Sequence, residues 1–574
     1  MWTANAGPRK QGTDPWSIAS TVMGVLVAGI VGLAALATPA QAQDPAEPNL
    51  SPVETRDFEG LAEGPYDRLV IRNVKVIPGH GGPPTGPHDI LIEGNVITAI
   101  EDYDAVALER ARQAGEEIER LDGDRVIEGD GMYVMPGMFD LHHHWRGEEI
   151  PLEYTHYLKL AHGVTTAGPT GGDRGQEFAM ERAEESANNE ILAPRLIPTV
   201  QWSVGRIQGL GVDVTAEELD DPEEAPRIAQ EIVDAGGRSV GVNAATWNPE
   251  LFEAAARGLD EAGAFTTVHI PPSNTAMVHA LEAARRGVTF IKHHYGLAES
   301  AVPRGVQDFP RDYDYDNEQH RFREAGRVWE EVGWNPESRE RLLQDVADSL
   351  VHYGTHLMPT MVVYEANRDI LRAQSLPWHE KYTHRQLLEW SVPDPAWHGS
   401  FHWDWTHDDE ETWRYAFDLW GQLIYEVNKR GGLVAVGTDD NYIWATPGFS
   451  SVRELQLIRE SGMHSLEVLA AATYNSAKLA GEPNLGLVRE GYLADLVIVD
   501  GNPAENFRHL YSFGAIRMNE DEEMYRSRGI VHTVKDGIVV ENDRVMEAVA
   551  DMVEESWEGS EPNITEIPFG VNRP

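Results

Sequence analysis

Three consecutive histidines, His142, His143 and His144, follow the apolar run VMPGMFDL, which contains a Pro-Gly turn. Successive side chains of an extended strand point to opposite sides, so His142 and His144 should share one face with Asp140 while His143 faces away. Two neutral imidazoles on one face are suited to binding a transition metal such as zinc. The alternative is a polar strand end whose histidines only form hydrogen bonds, because H-x-H is a short motif.

The composition restricts the ligands and partners that the chain can use. Of its 574 residues, 41% are hydrophobic, which allows a large core and two or more domains. Cysteine is absent, so any metal must be bound by nitrogen and oxygen atoms. The 94 acidic side chains outnumber the 47 basic ones, and the net charge of -47 argues against nucleic acid as a partner.

The N-terminal segment has the pattern of an export signal. Arg9 and Lys10 precede a long uncharged apolar stretch that ends in the residues AQA at 40–42. This pattern predicts cleavage after Ala42 and a periplasmic protein without a stable membrane anchor. The alternative is an uncleaved anchor, because the apolar run is nearly long enough to span a bilayer.

Strands and helices alternate along the middle of the chain, as in HGVTTAGPT, ARGLDEAGAFTTVHI and MVHALEAARRGVTFIKHH. About eight such units would close a TIM-like (β/α)8 barrel, an α/β fold with a parallel sheet. In these barrels the site lies at the carboxyl ends of the strands. His144, His269, His293 and Asp439 each follow a strand-like run. We therefore expect these four side chains to meet.

Short β-branched runs at both ends of the barrel region predict a small β-sandwich domain assembled from two parts of the chain. The predicted order is a signal peptide at 1–42, a linker at 43–64, sandwich segments at 65–135 and 485–545 around a barrel at 136–484, and an acidic tail at 546–574. The barrel carries more residues than a minimal one needs. The extra residues form inserts near 300–350 and 376–420.

The second insert is rich in tryptophan, with Trp378, Trp390, Trp397, Trp403, Trp405, Trp413 and Trp420. Loops at the carboxyl ends of barrel strands form the substrate pocket, so these rings could cover a hydrophobic or aromatic small molecule. They could equally pack helices together or form the interface of a homo-oligomer. Tyr295 and Tyr364 are weaker candidates for polarising a substrate carbonyl or binding a carboxylate.

Several motifs, in this order, resemble those of the amidohydrolase superfamily, in particular its imidazolonepropionase-like and prolidase-like hydrolases. VMPGMFDLHHH is similar to the family's first-strand motif, HGVTT to its second-strand turn, VHI and GVTFIKHH to its fifth- and sixth-strand histidines, and GLVAVGTDD to its eighth-strand aspartate. LEVLAAATYNSAKLAGEPNLGLVREGYLADLVIVDGNP resembles the closing helix and the return into the β domain. The resemblance covers residues 67–543 and supports the barrel prediction.

The resemblance implies a metal-dependent hydrolase whose metal-site residues are His142, His144, His269, His293 and Asp439. His142 and His144 would bind the more buried metal, and Asp439 would complete its shell. His269 and His293 would bind a second metal or, in members with one metal, act as one ligand and one group that positions the water. Asp439 would also take the proton of the attacking water and deliver it to the leaving group. A bound metal would polarise the carbonyl and make hydroxide available at neutral pH.

One departure from the family bears on the number of ions. Two-metal members carry a carboxylated lysine on the fourth strand, and the corresponding stretch here has none, with Gly241 about where it would lie. Because only Asp439 among the five expected ligands is anionic, a second divalent ion would be poorly compensated. One ion, with zinc favoured, is therefore expected, and His293 would then orient the water. The alternative is that Lys292 or an acidic residue from elsewhere replaces the bridge.

The predicted function is hydrolysis of an amide or dipeptide-like carbon–nitrogen bond by an exported enzyme. Alternatives on the same site are deamination, lactam or ester hydrolysis, and isomerisation. A catalytically inactive binding scaffold is another alternative, although the presence of four histidines and Asp439 favours an enzyme. His143 and His294 are expected to pack beside the site, and Asp440 to partner a helix end.

Overall fold

The computed structural model describes residues 54–116, 118, 120–170, 174–302, 307–315, 317–393 and 402–558. The predicted signal peptide, the first half of the predicted linker, Trp397 and the end of the acidic tail lie outside these residues. Within the described part of the chain, no helix has both the length and the apolar character needed to cross a bilayer.

The strands form a parallel sheet, a mixed sheet and a separate hairpin. In chain order they are β1 (Arg56–Asp57), β2 (Ala62–Gly64), β3 (Leu69–Val76), β4 (Thr85–Glu93), β5 (Val96–Asp102), β6 (Arg125–Glu128), β7 (Tyr133–Pro136), β8 (Met138–His144), β9 (Val164–Thr170), β10 (Arg195–Leu196), β11 (Thr199–Gln201), β12 (Ser239–Gly241), β13 (Phe265–Val268), β14 (Phe290–Lys292), β15 (His356–Met358), β16 (Leu496–Asp500), β17 (Ile516–Met518), β18 (Met524–Arg526), β19 (Gly529–Lys535) and β20 (Ile538–Glu541). Strands β8 to β15 make the parallel sheet, and β17 pairs with β18 alone.

The parallel sheet curls through its successive strands. β8 pairs with β9, β9 pairs with both β10 and β11, and the order continues through β12, β13 and β14 to β15. Beyond β15, Val434 forms a parallel bridge with Leu357, and the amide of Leu141 donates a hydrogen bond of 2.9 Å to the carbonyl of Val436. Segment 434–436 therefore bonds to both β15 and β8. The predicted α/β class with a parallel sheet is confirmed.

The sheet curls because its inner face must be buried. Phe139, Ile197, Phe290, Met358 and Ala435, which come from separate segments of the sheet and its continuation, belong to one buried cluster. Large apolar side chains of this kind fill the centre of a curled parallel sheet rather than leave a pore. Space for a ligand is thereby limited to the strand ends above this layer.

Helices cover the outside of the parallel sheet and build the inserts. They are α1 (Ala105–Ala114), α2 (Leu152–Ala161), α3 (Gln176–Ala187), α4 (Val204–Gln208), α5 (Ala216–Leu219), α6 (Ala225–Asp234), α7 (Pro249–Ala262), α8 (Ala280–Arg285), α9 (Glu318–Trp334), α10 (Pro336–Arg341), α11 (Ala347–His352), α12 (Met361–Arg368), α13 (Ile370–Gln374), α14 (His379–Tyr382), α15 (Arg385–Trp390), α16 (His407–Lys429), α17 (Phe449–Glu460), α18 (Ser465–Ala470), α19 (Ser476–Leu479) and α20 (Asn542–Trp557). The longest insert helix, α16, begins with a capping box between Thr406 and Asp409, which satisfies its first amides.

The mixed sheet joins strands from both ends of the described chain. Its order is β1-β2-β20-β19-β16-β7-β3-β4-β5, and β6 pairs with β3. Residues from both parts, such as Ile71, Val134 and Ile498, share its buried cluster. β1 and β2 lie in the segment predicted as a linker. The predicted acidic tail begins inside α20, where Val549 and Val553 are buried.

A tight turn near the parallel sheet lies at Gly448, just before α17. Its φ is +74°, and an added Cβ would lie 2.2 Å from the carbonyl oxygen of Leu158. We expect Gly448→Ala to lower the free energy of unfolding by roughly 2–4 kcal/mol, the sum of left-handed strain and overpacking. Gly431→Ala is the matched control, because its φ is +88° and nothing lies within 4 Å of an added Cβ. Denaturant unfolding of both variants tests this, and equal losses would contradict it.

Candidate metal centre

The carboxyl ends of the parallel strands surround a cavity of about 380 Å³. His142, His144, His269, His293 and Asp439 all line this cavity. β8 ends at His144, and His269 and His293 directly follow β13 and β14. The structure thus brings together all the residues that the sequence predicted for a metal site.

Three of these side chains lie close enough together to share one ion. One ligand atom from each of His142, His293 and Asp439 lies within 4.8 Å of the others. Oδ1 of Asp439 is 3.2 Å from Nε2 of His142 and 2.8 Å from Nε2 of His144. The ring centroid of His269 lies 4.9 Å from that of His293. Asp439 is therefore the common neighbour, and His269 extends the group on the side of His293.

The protonation states of this group suit a bound cation. Burial lowers the pKa of His142 to about 4, and it also lowers the pKa of His144 and His293. Burial alone would raise the pKa of Asp439, but the neighbouring His142 and His293, with hydrogen bonds from His142 and His144, hold it well below its usual value. Neutral imidazoles beside a carboxylate are the donor set that zinc and similar ions prefer.

His142 also has a buried ring nitrogen that needs a partner. Among the described residues, none forms a hydrogen bond with Nδ1 of His142. Buried polar atoms of this kind are normally satisfied by protein, water or an ion. The residues present therefore fit a divalent metal.

Two threonines fix the orientation of the histidine rings. Oγ1 of Thr170 lies 2.7 Å from Nδ1 of His144, and Oγ1 of Thr360 lies 2.6 Å from Nδ1 of His293. Such hydrogen bonds set which nitrogen faces a metal. Sequence analysis missed both threonines, although each lies at or just beyond the end of a parallel strand, where the barrel rule could have found it.

The backbone around the cavity is strained. His293, Thr360 and Asp439 have φ values of 64°, 53° and 56°, and Ile443 has a φ of 40°. Non-glycine residues rarely adopt this left-handed region, and β-branched residues such as Thr360 and Ile443 do so at a cost. Strain of this kind gathers at functional sites, where the surrounding contacts must hold it.

Glu454 of α17 holds one of these strained segments. Its buried carboxyl group accepts hydrogen bonds from the amides of Met361 at 3.0 Å and Val362 at 2.8 Å, at the start of α12. Oxygen acceptors at a helix N-terminus satisfy amides that have no partner within the helix. Thr360 directly precedes this helix and Tyr364 lies within it, and both contact the site. Glu454 thus anchors the segment that orients His293.

A second buried network lies behind the metal-site residues. Nζ of Lys159 on α2 contacts both Asp140 and Asp440, and all three side chains are essentially inaccessible. Oδ2 of Asp140 accepts a hydrogen bond of 2.7 Å from Thr438, and Oδ2 of Asp440 accepts one of 2.9 Å from Ser450. The network joins β8, α2 and the segment that carries Asp439.

The position of Asp140 differs from the expected alternation. The pairing of β8 with β9 shifts its register between Asp140 and His143. Because of this irregularity, Asp140 contacts Lys159 while His142 and His144 line the cavity. His143 does not line the cavity, and its ring packs against Trp145.

The aromatic residues divide into those that face the cavity and those that support it. Tyr295 and Tyr364 line the cavity, whereas none of the described tryptophans of the second insert does. Trp413 stacks on Tyr364 with ring centroids 5.9 Å apart and an interplanar angle of 11°. His294 packs against the same rings and accepts a hydrogen bond of 3.3 Å from the indole of Trp329. The insert therefore forms a packed wall behind the two tyrosines.

The cavity contains more basic than acidic side chains. Arg206, Lys292 and Arg321 line it, and Asp439 is the one acidic residue among its described lining. Burial lowers the pKa of Lys292 to about 8. None of the three basic residues was predicted to bind substrate. Arg321 lies in the first insert, where the motifs gave no signal for it.

Part of the chain matches a known family in sequence. Residues 422–540 match the amidohydrolase family. An 83-residue stretch is 37% identical to the ochratoxinase of Aspergillus niger, and it covers 14% of this chain and 16% of that enzyme. The match therefore spans a small share of the curated relative's length.

Solved structures extend the similarity to most of the chain. A Xaa-Pro dipeptidase with bound methionine aligns with a TM-score of 0.52 at 17% identity, covering 83% of this chain and all of that one. Bottromycin amidohydrolase aligns with a TM-score of 0.51 at 17% identity, covering 88% and 93%. At these identities the structures show a shared fold. Together with the sequence match, they confirm the resemblance to amidohydrolases that the motifs predicted.

Lys159 should be essential for the stability of the centre. We expect Lys159→Met to lower the free energy of unfolding by about 3–5 kcal/mol, because it leaves two buried carboxylates without their cation. The double variant Lys159→Met/Asp440→Asn should recover part of that loss. Lys429→Met is the control, since this lysine is 59% exposed on α16. Denaturant unfolding measures all three, and a Lys159→Met variant as stable as its parent would refute the role of the network.

Glu454 should make stability depend on pH. Burial raises its pKa from 4.5 to about 8, so the folded protein binds a proton there that the unfolded chain has released. The unfolding free energy should therefore fall as the pH rises from about 5 to about 8, and Glu454→Gln should lack this part of the fall. Thermal unfolding across that range, compared with the exposed control Glu547→Gln, measures it. Parallel pH profiles for the parent and Glu454→Gln would contradict the assignment.

Proposed function

We propose that this chain is a metal-dependent hydrolase that cleaves amide or dipeptide-like carbon–nitrogen bonds. The observation that carries this proposal is the convergence of His142, His293 and Asp439 at the carboxyl ends of the parallel strands. Enzymes built on such sheets place their catalytic groups at that edge. The similarity to proteins named dipeptidase, ochratoxinase and amidohydrolase supports a carbon–nitrogen bond as the target.

The wider fold belongs to the same proposal. We infer that the parallel sheet closes into a (β/α)8 barrel, because segment 434–436 bonds to both of its neighbours. The mixed sheet would form the small second domain, built from both ends of the chain. Export to the periplasm is supported by the sequence pattern at 1–42.

His142, His144, His269 and Asp439 would hold one divalent ion, with zinc favoured. Such an ion would polarise the scissile carbonyl and lower the pKa of water. One ion is favoured over two because a single carboxylate lines the described cavity. Lys292 supports the alternative of two ions that it would bridge. It lies in the cavity, and its lowered pKa makes the neutral amine more accessible.

The side chains around the cavity would transfer the proton, orient the water and bind the substrate carbonyl. Asp439 is ionised at neutral pH and would accept the proton of the attacking water, then deliver it to the leaving nitrogen. His293, held by Thr360, would orient that water. Burial raises the pKa of Tyr295 and Tyr364, so both phenols stay protonated and can donate hydrogen bonds to the substrate carbonyl.

The charges of the cavity favour a substrate that carries a carboxylate. Arg206, Lys292 and Arg321 line the cavity opposite Asp439, and basic groups remain in excess after the pairing of Arg321 with Glu318 is counted. A volume of about 380 Å³ suits a small molecule. N-acyl amino acids and dipeptides meet both conditions.

The first test is turnover of a panel of N-acyl amino acids and dipeptides, with metal measured per chain. We expect the purified protein to hold about one ion and to release amines, and Asp439→Asn to lower kcat by roughly 100-fold or more while it keeps much of the metal. His142→Ala/His144→Ala should lose the ion and the activity together. Amines and ammonia are assayed separately, so that deamination is detected.

Other outcomes decide between the rivals. Ammonia without amine release would favour a deaminase, and a metal-loaded protein that converts no substrate would favour a binding scaffold. Turnover that survives in Asp439→Asn would remove the proposed proton carrier. About two ions per chain, of which one is lost in Lys292→Met, would replace the one-ion site with a bridged pair.

A further inference from the structure

A second cavity, of about 490 Å³, lies away from the metal centre. Segment 375–378, between α13 and α14, forms one side of it, and segment 506–516 with the hairpin β17–β18 forms the other. It shares no lining residue with the metal-site cavity. The two cavities are therefore separate.

The charge of this second cavity is opposite to that of the protein. Arg372, Arg508 and Arg526 line it, and its described lining contains no aspartate or glutamate. The whole chain has 94 acidic and 47 basic side chains. A concave positive patch on a protein of net charge -47 concentrates anions locally.

The carboxylates that contact Arg372 and its neighbours are shared among several arginines. Glu365 contacts Arg372, but it also contacts Arg368 and Arg453. Glu460 is shared by Arg368 and Arg453 in turn. Three guanidinium groups therefore share two carboxylates beside the cavity, before Arg508 and Arg526 are counted.

Flat aromatic rings form the apolar wall of the same cavity. Tyr511 and Phe513 stack with ring centroids 5.3 Å apart and an interplanar angle of 15°. Trp378 continues the wall, with its ring centroid 5.5 Å from that of Tyr511. The guanidinium of Arg526 lies 5.7 Å from the ring centroid of Phe513 and donates hydrogen bonds to nearby carbonyl groups. A cationic fork is thus held at the edge of an aromatic surface.

We propose that this cavity is a binding site for a planar aromatic carboxylate. The ring of the ligand would pack against Phe513, which lines the cavity and is only partly buried, since offset aromatic pairs are favourable. Its carboxylate would reach Arg508 and Arg526, because guanidinium groups bind carboxylates through paired hydrogen bonds. This site does not depend on the proposed hydrolase activity.

The experiment measures binding of 2-naphthoate to the full chain by titration calorimetry. We expect one site outside the metal centre, retained in His142→Ala/His144→Ala. The neutral amide 2-naphthamide should bind at least tenfold more weakly because it lacks the charge, and so should acetate because it lacks the ring. Arg508→Gln/Arg526→Gln should lose at least tenfold in affinity. Both arginines are exposed, so these substitutions leave the core intact.

Arg517→Gln is the matched control. Arg517 lies on the same hairpin, between two residues that face the other way, and it does not line the cavity. It should bind 2-naphthoate like the parent. Equal affinity in Arg508→Gln/Arg526→Gln, loss of binding in His142→Ala/His144→Ala, or no binding to the parent would each overturn the proposal.

Discussion

The contact of Lys159 with Asp140 and Asp440 is the interaction on which the rest of the centre depends. It joins the strand that carries His142 to the segment that carries Asp439, and it does so in a fully buried position. Three charges out of water are costly unless they are paired, and here Lys159 pairs with both carboxylates while Thr438 and Ser450 donate further hydrogen bonds to them. Such a network has few acceptable geometries. It therefore fixes the spacing between the two ends of the curled sheet.

This network helps to hold the strained backbone at the cavity in place. His293, Thr360 and Asp439 adopt left-handed conformations that would relax in an isolated loop. Asp439 is flanked by Asp440 and Thr438, which the network holds, and Thr360 precedes the helix start that Glu454 anchors. These buried polar groups thus stabilise the local conformations that turn the side chains of the candidate metal site towards one another.

Much of the candidate site could be predicted from the sequence, because its residues follow short apolar runs at regular intervals. A parallel sheet brings such positions to one edge whatever the details of its loops. The position of Asp140 could not be predicted in this way, since a register shift between β8 and β9 breaks the alternation of side chains. Lys159 gave no signal either. It lies within an ordinary helix, and its partners come from distant parts of the chain.

The role of the inserts could also not be predicted from the sequence. Their tryptophans suggested a pocket or a packed wall, and composition alone does not separate these roles. Trp413 and His294 pack behind Tyr364 and Tyr295, so the cavity is faced by phenols that the wall supports. Contacts between distant segments decide whether an aromatic residue lines the cavity or supports it, and local sequence patterns do not predict those contacts.

The mixed sheet has a consequence for how the protein is made. Arg125 contacts Glu541, 416 positions later in the chain, and β7 pairs with β16 only after the whole parallel sheet has been synthesised. Strands β3 to β7 are synthesised first, and the edge of β7 therefore stays unpaired until β16 has been synthesised. Contacts so far apart form slowly, because a long loop must close first. Biosynthesis thus exposes this edge to chaperones or to aggregation, and a truncation that removes β16 would leave it permanently unpaired.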